Sequence, residues 1–361
     1  MEKDNKKLHD EVALTPAETE VLSSVDMAND ERFTPSFEKA KEYKKRAIFF
    51  KVLTYSFLAI FALFMLLPFW FMISVSLKAP IDYAREVTTG LRLFTANPTL
   101  VNFKIILGGD TSAQEALLPG ELIKILNDVN KSVNFLPYFA NTIFVAVIST
   151  IFTVATTVLA SFAFARLDFK GKNFLFAVLL ATMMVPGEMM IITNYQTAVG
   201  LGWANTFAAL IFVHGVSVFY IFYLRQTFQQ IPNELFLAAK VDGYGEFRYL
   251  WRVMLPIGMP TIVTITILNV MGSWNAFIWP TLIASGNNAF LTNILKQSNP
   301  DAKWSMRLVS NGLMSLFSSD YSNFDTVKIA GSMIISAPLL LVFMFFRKYI
   351  MSGVSRSGIK G

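Results

Sequence analysis

Long apolar runs separated by short, basic connections dominate this chain. Six such runs lie near residues 47–77, 136–165, 173–195, 204–224, 255–283 and 328–346. Each is comparable with the roughly 20 residues an α-helix needs to cross a bilayer. The pattern predicts an all-α polytopic membrane protein with six transmembrane helices. Pro68, Pro186 and Pro280 fall inside runs, where neighbouring groups can satisfy the carbonyls a proline frees. The longest charged interruption between the later runs is 231–260, and it has its own punctuation. Pro232-Asn233 predicts a helix start, with the Asn side chain accepting from the first turn and Glu234 favoured by the dipole. Asp242-Gly243 predicts a stop, because glycine adopts the left-handed conformation that ends a helix. Phe247, Leu250, Trp251 and Met254, three and four residues apart, predict a second helix that ends at Leu255-Pro256. A helical hairpin between two spans is a natural docking knob for a component outside the membrane.

Composition agrees: 54% of the 361 residues are hydrophobic and 16% are charged, against about 25% charged in soluble domains. With no cysteine and only His9 and His214, disulfides, thiolate chemistry and a histidine metal site are excluded. The net charge of +6 sits mostly beside apolar runs, which fits a lipid membrane rather than nucleic acid. Residues 1–46 are polar and carry both signs of charge. They lack a signal peptide's apolar core and read as a cytosolic tail, with 38–51 able to continue the first helix. Lysine and arginine cluster before the first run, at 166–172, at 225–252 and after the last run, whereas 194–204 has none. This asymmetry predicts cytoplasmic N- and C-termini. It leaves the long 79–135 and 284–326 loops outside, the former able to receive a delivery protein or simply to cover helix ends.

Candidate chemistry is sparse. Gly171-Lys172-Asn173 lacks the remaining residues of a phosphate-binding loop, and no nucleophile–base arrangement can be built. Glu188 is the one acid well inside an apolar run. Helix rise places it roughly 23 Å from the inner end of its span, where a charge is costly and points to function or to a neighbouring helix. Asn141, Asn194, Asn269 and Asn275 can either line a polar path with Glu188 or bond between helices. His214, Trp70, Trp274 and Trp279 read as packing or span-end residues.

Five stretches carry a resemblance. LPFWFMISVSLK at 67–78, SFAFARLDFKGK at 161–172, the 231–260 interruption, SWNAFIWP at 273–280 and KYIMSGVSRSGIKG at 348–361 occur in order across 47–361. Together they resemble the permease subunits of ATP-binding-cassette importers. More narrowly, they resemble the second of two permeases in carbohydrate-uptake systems such as those for maltose and glycerol phosphate. The resemblance implies a type I ABC importer transmembrane domain, with 231–256 as the coupling hairpin that docks on an ATPase subunit. Ala238, Ala239, Asp242, Gly243, Leu255 and Pro256 stand on its recurring positions. It further implies coupling through Glu234, Ala238, Ala239, Asp242 and Gly243, with Phe247 anchoring the hairpin to the spans. The acid that gives this loop its name is Leu237 here, Glu234 standing one turn earlier; the alanine after Asp-Gly is Tyr244, and an acid after Trp-Asn is Ala276. The implied partners are a second permease, two ATP-binding subunits and an extracytoplasmic solute-binding protein. No cofactor or metal is expected in this chain, ATP being bound by the partners, and no enzymatic chemistry of its own. A secondary transporter or channel is the alternative. It would carry coupling charges in several spans, and Glu188 is nearly alone.

Overall fold

The computed structural model describes residues 37–90, 92–95, 97–107, 135–297, 304–317 and 325–355. Most of the expected tail, the middle of the 79–135 loop and the end of the C-terminal motif lie outside the described residues. The chain divides into a unit ending at Trp70 and a unit beginning at Phe71. What is described of the first belongs to α1 (Phe37–Ser76), which begins upstream of the apolar run at 47, the basic 38–51 segment continuing the first helix as expected. Its apolar side chains from Ile48 to Trp70 are exposed. A helix apolar on every side has no water-facing stripe, so it suits a hydrocarbon surrounding.

The second unit runs through α2 (Pro80–Thr89), α3 (Val101–Ile106), α4 (Phe135–Arg166), α5 (Lys172–Thr182), α6 (Ile191–Gly200), α7 (Phe207–Phe212) and α8 (Val218–Gln229). It continues with α9 (Asn233–Val241), α10 (Glu246–Tyr249), α11 (Leu255–Asn275), α12 (Ile278–Ile283), α13 (Ala289–Lys296), α14 (Val309–Phe317) and α15 (Asp325–Ser355). Among the described residues, Lys44–Ser76, Phe135–Arg166, Glu246–Asn275 and Asp325–Arg347 are long and apolar enough to cross a membrane. The two remaining runs are realised differently. In the third, α5 ends at Thr182, and the chain bends by 85° before Gly187–Gly200. Pro186 lacks the N–H that would continue the helix. The fourth run is divided, with a non-helical stretch at 213–217 between α7 and α8. At Gly215 a Cβ would lie 2.5 Å from the Phe152 ring, so only glycine allows this approach to α4. The Ser217 hydroxyl then accepts from the Tyr220 N–H and starts α8.

α4 is the element the others pack on. Thr142, Ser149, Thr150, Thr153, Thr157 and Ser161 form a buried stripe at helical spacing. Small residues let helices approach closely, and their hydroxyls bond across. Ser161 donates to the Ile221 carbonyl at 2.9 Å on α8. Ser149 lies 3.2 Å from the Ser273 hydroxyl, and Asn269 donates to Thr150 at 2.9 Å, both joining α11. At the start of α4, Asn141 donates to the Ser305 and Arg307 carbonyls and accepts from the Trp304 indole. The tryptophans act as locks too: Trp274 donates to the Ile335 carbonyl on α15, and Trp279 to the Ala209 carbonyl on α7.

Beside the start of α4, a polar latch ties the end of α1 to α15. Lys78 is 1% exposed, and its ammonium donates to the Glu86 carboxylate and the Arg92 carbonyl. Asn102 donates to the Ser76 and Lys78 carbonyls and accepts from the Thr326 hydroxyl. A buried ammonium needs such a partner, since an unpaired one is strongly destabilising. The hydrogen bond from Lys78 holds the Glu86 carboxyl below its ordinary value. A lowered folded value adds stability above the unfolded value, and that stability is lost as pH falls through the folded one. The thermal midpoint of the purified protein therefore exceeds that of Glu86→Gln at pH 7. The gap closes on acidification below the ordinary carboxylate range; a gap that stays constant to pH 3 would remove the latch.

Candidate functional site

Two features stand out, the hairpin after α8 and a cavity bordered by broken helices. Arg166, the last residue of α4, builds the hairpin's base. Its guanidinium donates to the Phe228 and Ile231 carbonyls and, at 3.4 Å, to Asn233 Oδ1. These carbonyls lie at and just beyond the end of α8, where intrahelical partners run out. Arg225 adds a second clamp, donating to the Phe164 carbonyl with its guanidinium 4.0 Å from the Phe176 ring centre. In the sequence such arginines register only as part of the basic charge between spans. Their readable signal is an arginine in the last turn of an apolar helix, beside orphan carbonyls.

α9 starts differently from expectation. Pro232 holds the cap position, and the Asn233 side chain is engaged by Arg166 instead of capping the first turn. The stop is as expected. Gly243 has φ +75°; its N–H donates to the Lys240 carbonyl, and the Tyr244 N–H donates to the Ala239 carbonyl. This paired arrangement satisfies the last carbonyls and needs a left-handed residue. The second half corrects two expectations. Leu255-Pro256 does not end a helix: Glu246–Asn275 is continuous. A π-helical turn at Leu250–Met254 passes the Leu255 N–H to the Leu250 carbonyl, so the chain takes in Pro256 without breaking. Phe247 is not the anchor, being 64% exposed. The buried face is Tyr249, Leu250 and Met254, packed with Ala239, Phe228 and Ile231. Each such side chain contributes about 2 kcal/mol by leaving water. Counting by threes and fours selects Leu250 and Met254 correctly, but also Phe247 and Trp251, which are exposed. Leu237, Ala238 and Val241 are exposed too, as are Glu234, Asp242 and Gly243.

The cavity has a volume of about 680 Å³. Three helix breaks border it: Gly187 and Glu188 between α5 and α6, His214 between α7 and α8, and Ala276 and Phe277 between α11 and α12. Backbone freed from helical pairing is tolerated at membrane depth only against protein or a wet cavity. Ser149, Thr153, Tyr220, Asn269, Ser273 and Asn275 add polar wall, while Trp279 and Ile278 add apolar wall. The His214 ring meets Trp279 edge-on at 5.1 Å. Glu188 is exposed and lies in a short 3₁₀ turn. Its expected depth along one straight span is therefore corrected, because no single helix joins it to Lys172.

The candidate polar residues separate. Glu188, Asn269 and Asn275 share the cavity wall, although Asn269 also bonds to Thr150 and Asn275 to the Met271 carbonyl. Asn194, on α6, is not part of that wall. Asn141 is 1% exposed and committed to three partners around Trp304, so it is a structural clamp. Thr153, which the sequence reading passed over, borders the cavity with a buried hydroxyl that has no partner among the described residues. Among the described residues no group of acids and histidines could hold a metal.

Replacing Arg166 by methionine keeps much of the side chain's bulk and takes the guanidinium from the Ile231 carbonyl, while the Phe228 carbonyl keeps the Ile231 N–H. Losing about 1.5 kcal/mol of local stability raises hairpin opening roughly tenfold. Trypsin cleavage after Lys240 and Arg248 in the folded protein accelerates by that factor; an unchanged rate would show that the hairpin does not depend on Arg166.

Comparison with known proteins places this geometry. The family described as binding-protein-dependent transport system inner membrane component matches residues 156–356, from the middle of α4 beyond the end of α15. An arabinooligosaccharides transport system permease protein, AraQ, of Bacillus subtilis is 30% identical over 63% of this chain and 74% of that protein. Its namesake in Halalkalibacterium halodurans is 29% identical over 62% and 74%. Among solved structures, a bacterial ABC transporter involved in import of the acidic polysaccharide alginate superposes with a TM-score of 0.60. That likeness, at 21% identity, covers 83% of this chain and 96% of that one and reports the fold. The chain is a multi-pass membrane permease and belongs to the family of binding-protein-dependent transport system inner membrane components.

Proposed function

We propose that the chain is one permease of an ATP-driven importer for a sugar or oligosaccharide. In this reading it forms half of a translocation path with a second, homologous permease. Of the two ATP-binding subunits, one docks on 231–256 and the other on the second permease, and an extracytoplasmic binding protein delivers the solute. The observation that carries the reading is continuity: the hairpin's second half runs without a break into the helix whose far end walls the cavity. Movement of the hairpin is thus movement of the wall. The sugar assignment rests on the arabinooligosaccharide permeases among the relatives.

The docking face in this reading is the exposed side of the hairpin. Ala238, with Leu237 and Val241, offers a low apolar surface, and Phe247 and Trp251 offer large ones. Glu234 and Asp242 add charge. Ala239 contributes from inside, its small side chain letting α9 sit close on Tyr249. Lys240 and Arg248 stack on Phe236 and Tyr244, which steadies the loop. The basic residues at this end favour the cytoplasmic side, so the termini lie there and the Lys78 latch lies outside.

Gentle detergent purification of the tagged chain from its native cell recovers an ATP-binding subunit and a second permease. Recovery of this chain alone, transporting without ATP, would overturn the importer reading. At Gly243 a Cβ would meet nothing within 4 Å, so the cost of Gly243→Val is the left-handed backbone, about 1–2 kcal/mol. This variant reaches the membrane in normal amount but loses most ATP-dependent uptake, and normal uptake would rule out a coupling role for the turn.

A further inference from the structure

We propose that the cavity bordered by the three helix breaks is a subsite for uncharged, hydroxyl-rich saccharide units and that Glu188 makes it reject carboxylated sugars. The proposal rests on the importer reading and deepens it by naming the class of solute. The wall holds one charged side chain, the Glu188 carboxylate, and no lysine or arginine. A carboxylate accepts hydrogen bonds and donates none, so it suits sugar hydroxyls, which are donors. The remaining polar wall, including Asn269, Ser273, Asn275 and Thr153, can both donate and accept, which matches the alternating demands of neighbouring hydroxyls. Thr153 is the clearest sign of a ligand. It is 1% exposed, borders the cavity, and its hydroxyl has no partner among the described residues. A buried hydroxyl left unpaired is costly, and a solute hydroxyl would pair it. Trp279 and Phe277 provide flat apolar surface for the C–H face of a sugar ring.

The same wall is hostile to a uronate. A solute carboxylate a few ångströms from Glu188 would meet like charge in a medium less polar than water, with no lysine or arginine of this wall to offset it. An amide at 188 removes the charge and adds a donor, so it weakens the preference.

The test uses the purified complex of both permeases with the ATP-binding subunits, without the binding protein, so that protein's own selectivity does not enter. Saturation-transfer NMR at pH 8, where a histidine of ordinary titration is neutral, compares three neutral trisaccharides with trigalacturonate. The neutral probes are maltotriose, arabinotriose and tri-N-acetylchitotriose. At least one neutral sugar is expected to bind about tenfold more tightly than trigalacturonate. Glu188→Gln narrows that ratio to about threefold or less, and Thr153→Val weakens neutral binding without changing the ratio. Glu188 is exposed in a turn, so its amide variant folds normally, as the thermal midpoint verifies. Equal binding of trigalacturonate, no binding of any neutral sugar, or a ratio unmoved by Glu188→Gln overturns the proposal. Failure of the importer reading is separately visible as no ATP hydrolysis stimulated by the binding protein when it is added back.

Discussion

The fold depends on how closely helices can approach α4. A membrane interior offers no hydrophobic drive between helices, since lipid is as apolar as leucine. What remains is contact and hydrogen bonding, and α4 supplies both along one stripe of threonines and serines. The α8, α11 and α14 helices settle against that stripe, each with at least one polar bond: Ser161 to Ile221, Thr150 to Asn269, and Thr142 accepting from the Val309 N–H. Larger side chains on the stripe would separate these helices and strand the bonds. Gly215 applies the same logic in reverse, giving up its own side chain so that Phe152 can lie against the backbone.

Once the helices are held this way, breaks in them become affordable in places where the backbone has somewhere to turn. The breaks near Glu188, His214 and Ala276 face one another across a single space. The hairpin end shows the opposite solution. There the carbonyls at the end of α8 are taken by Arg166, and the surrounding apolar side chains close over Tyr249 and Leu250. One end of the unit is thus filled and braced, while the space bordered by the breaks is open and has both polar and apolar walls.

Much of this was legible in the sequence. Run length and apolarity locate material that suits a membrane, and Asp242-Gly243 announces its turn because few residues tolerate a left-handed φ. The hairpin's buried face was half legible: spacing by threes and fours selects Leu250 and Met254, which are buried, together with Phe247 and Trp251, which are exposed, and passes over Tyr249. Hydropathy also cannot distinguish a straight helix from a bent or divided one, since Thr182 to Met190 and His214 to Ser217 sit in runs as apolar as those that stay helical. The asparagines were ambiguous for a related reason. An amide suits a solute and a carbonyl equally well, and only the tertiary arrangement commits Asn141 to Trp304 and leaves Asn275 on the cavity wall.

The uninterrupted stretch Glu246–Asn275 has a mechanical meaning. At a rise of 1.5 Å per residue, Gly272 and Ser273 stand about 35 Å along the axis from Tyr249. A rod of that length magnifies rotation: a tilt of about 5° about its base carries its tip sideways by about 3 Å. That is the width of one hydroxyl group, enough to make or remove a hydrogen bond at the tip. A stiff arm joined to a small pivot therefore needs no large rearrangement elsewhere in the chain for an event at its base to be felt by whatever occupies the space around Asn275.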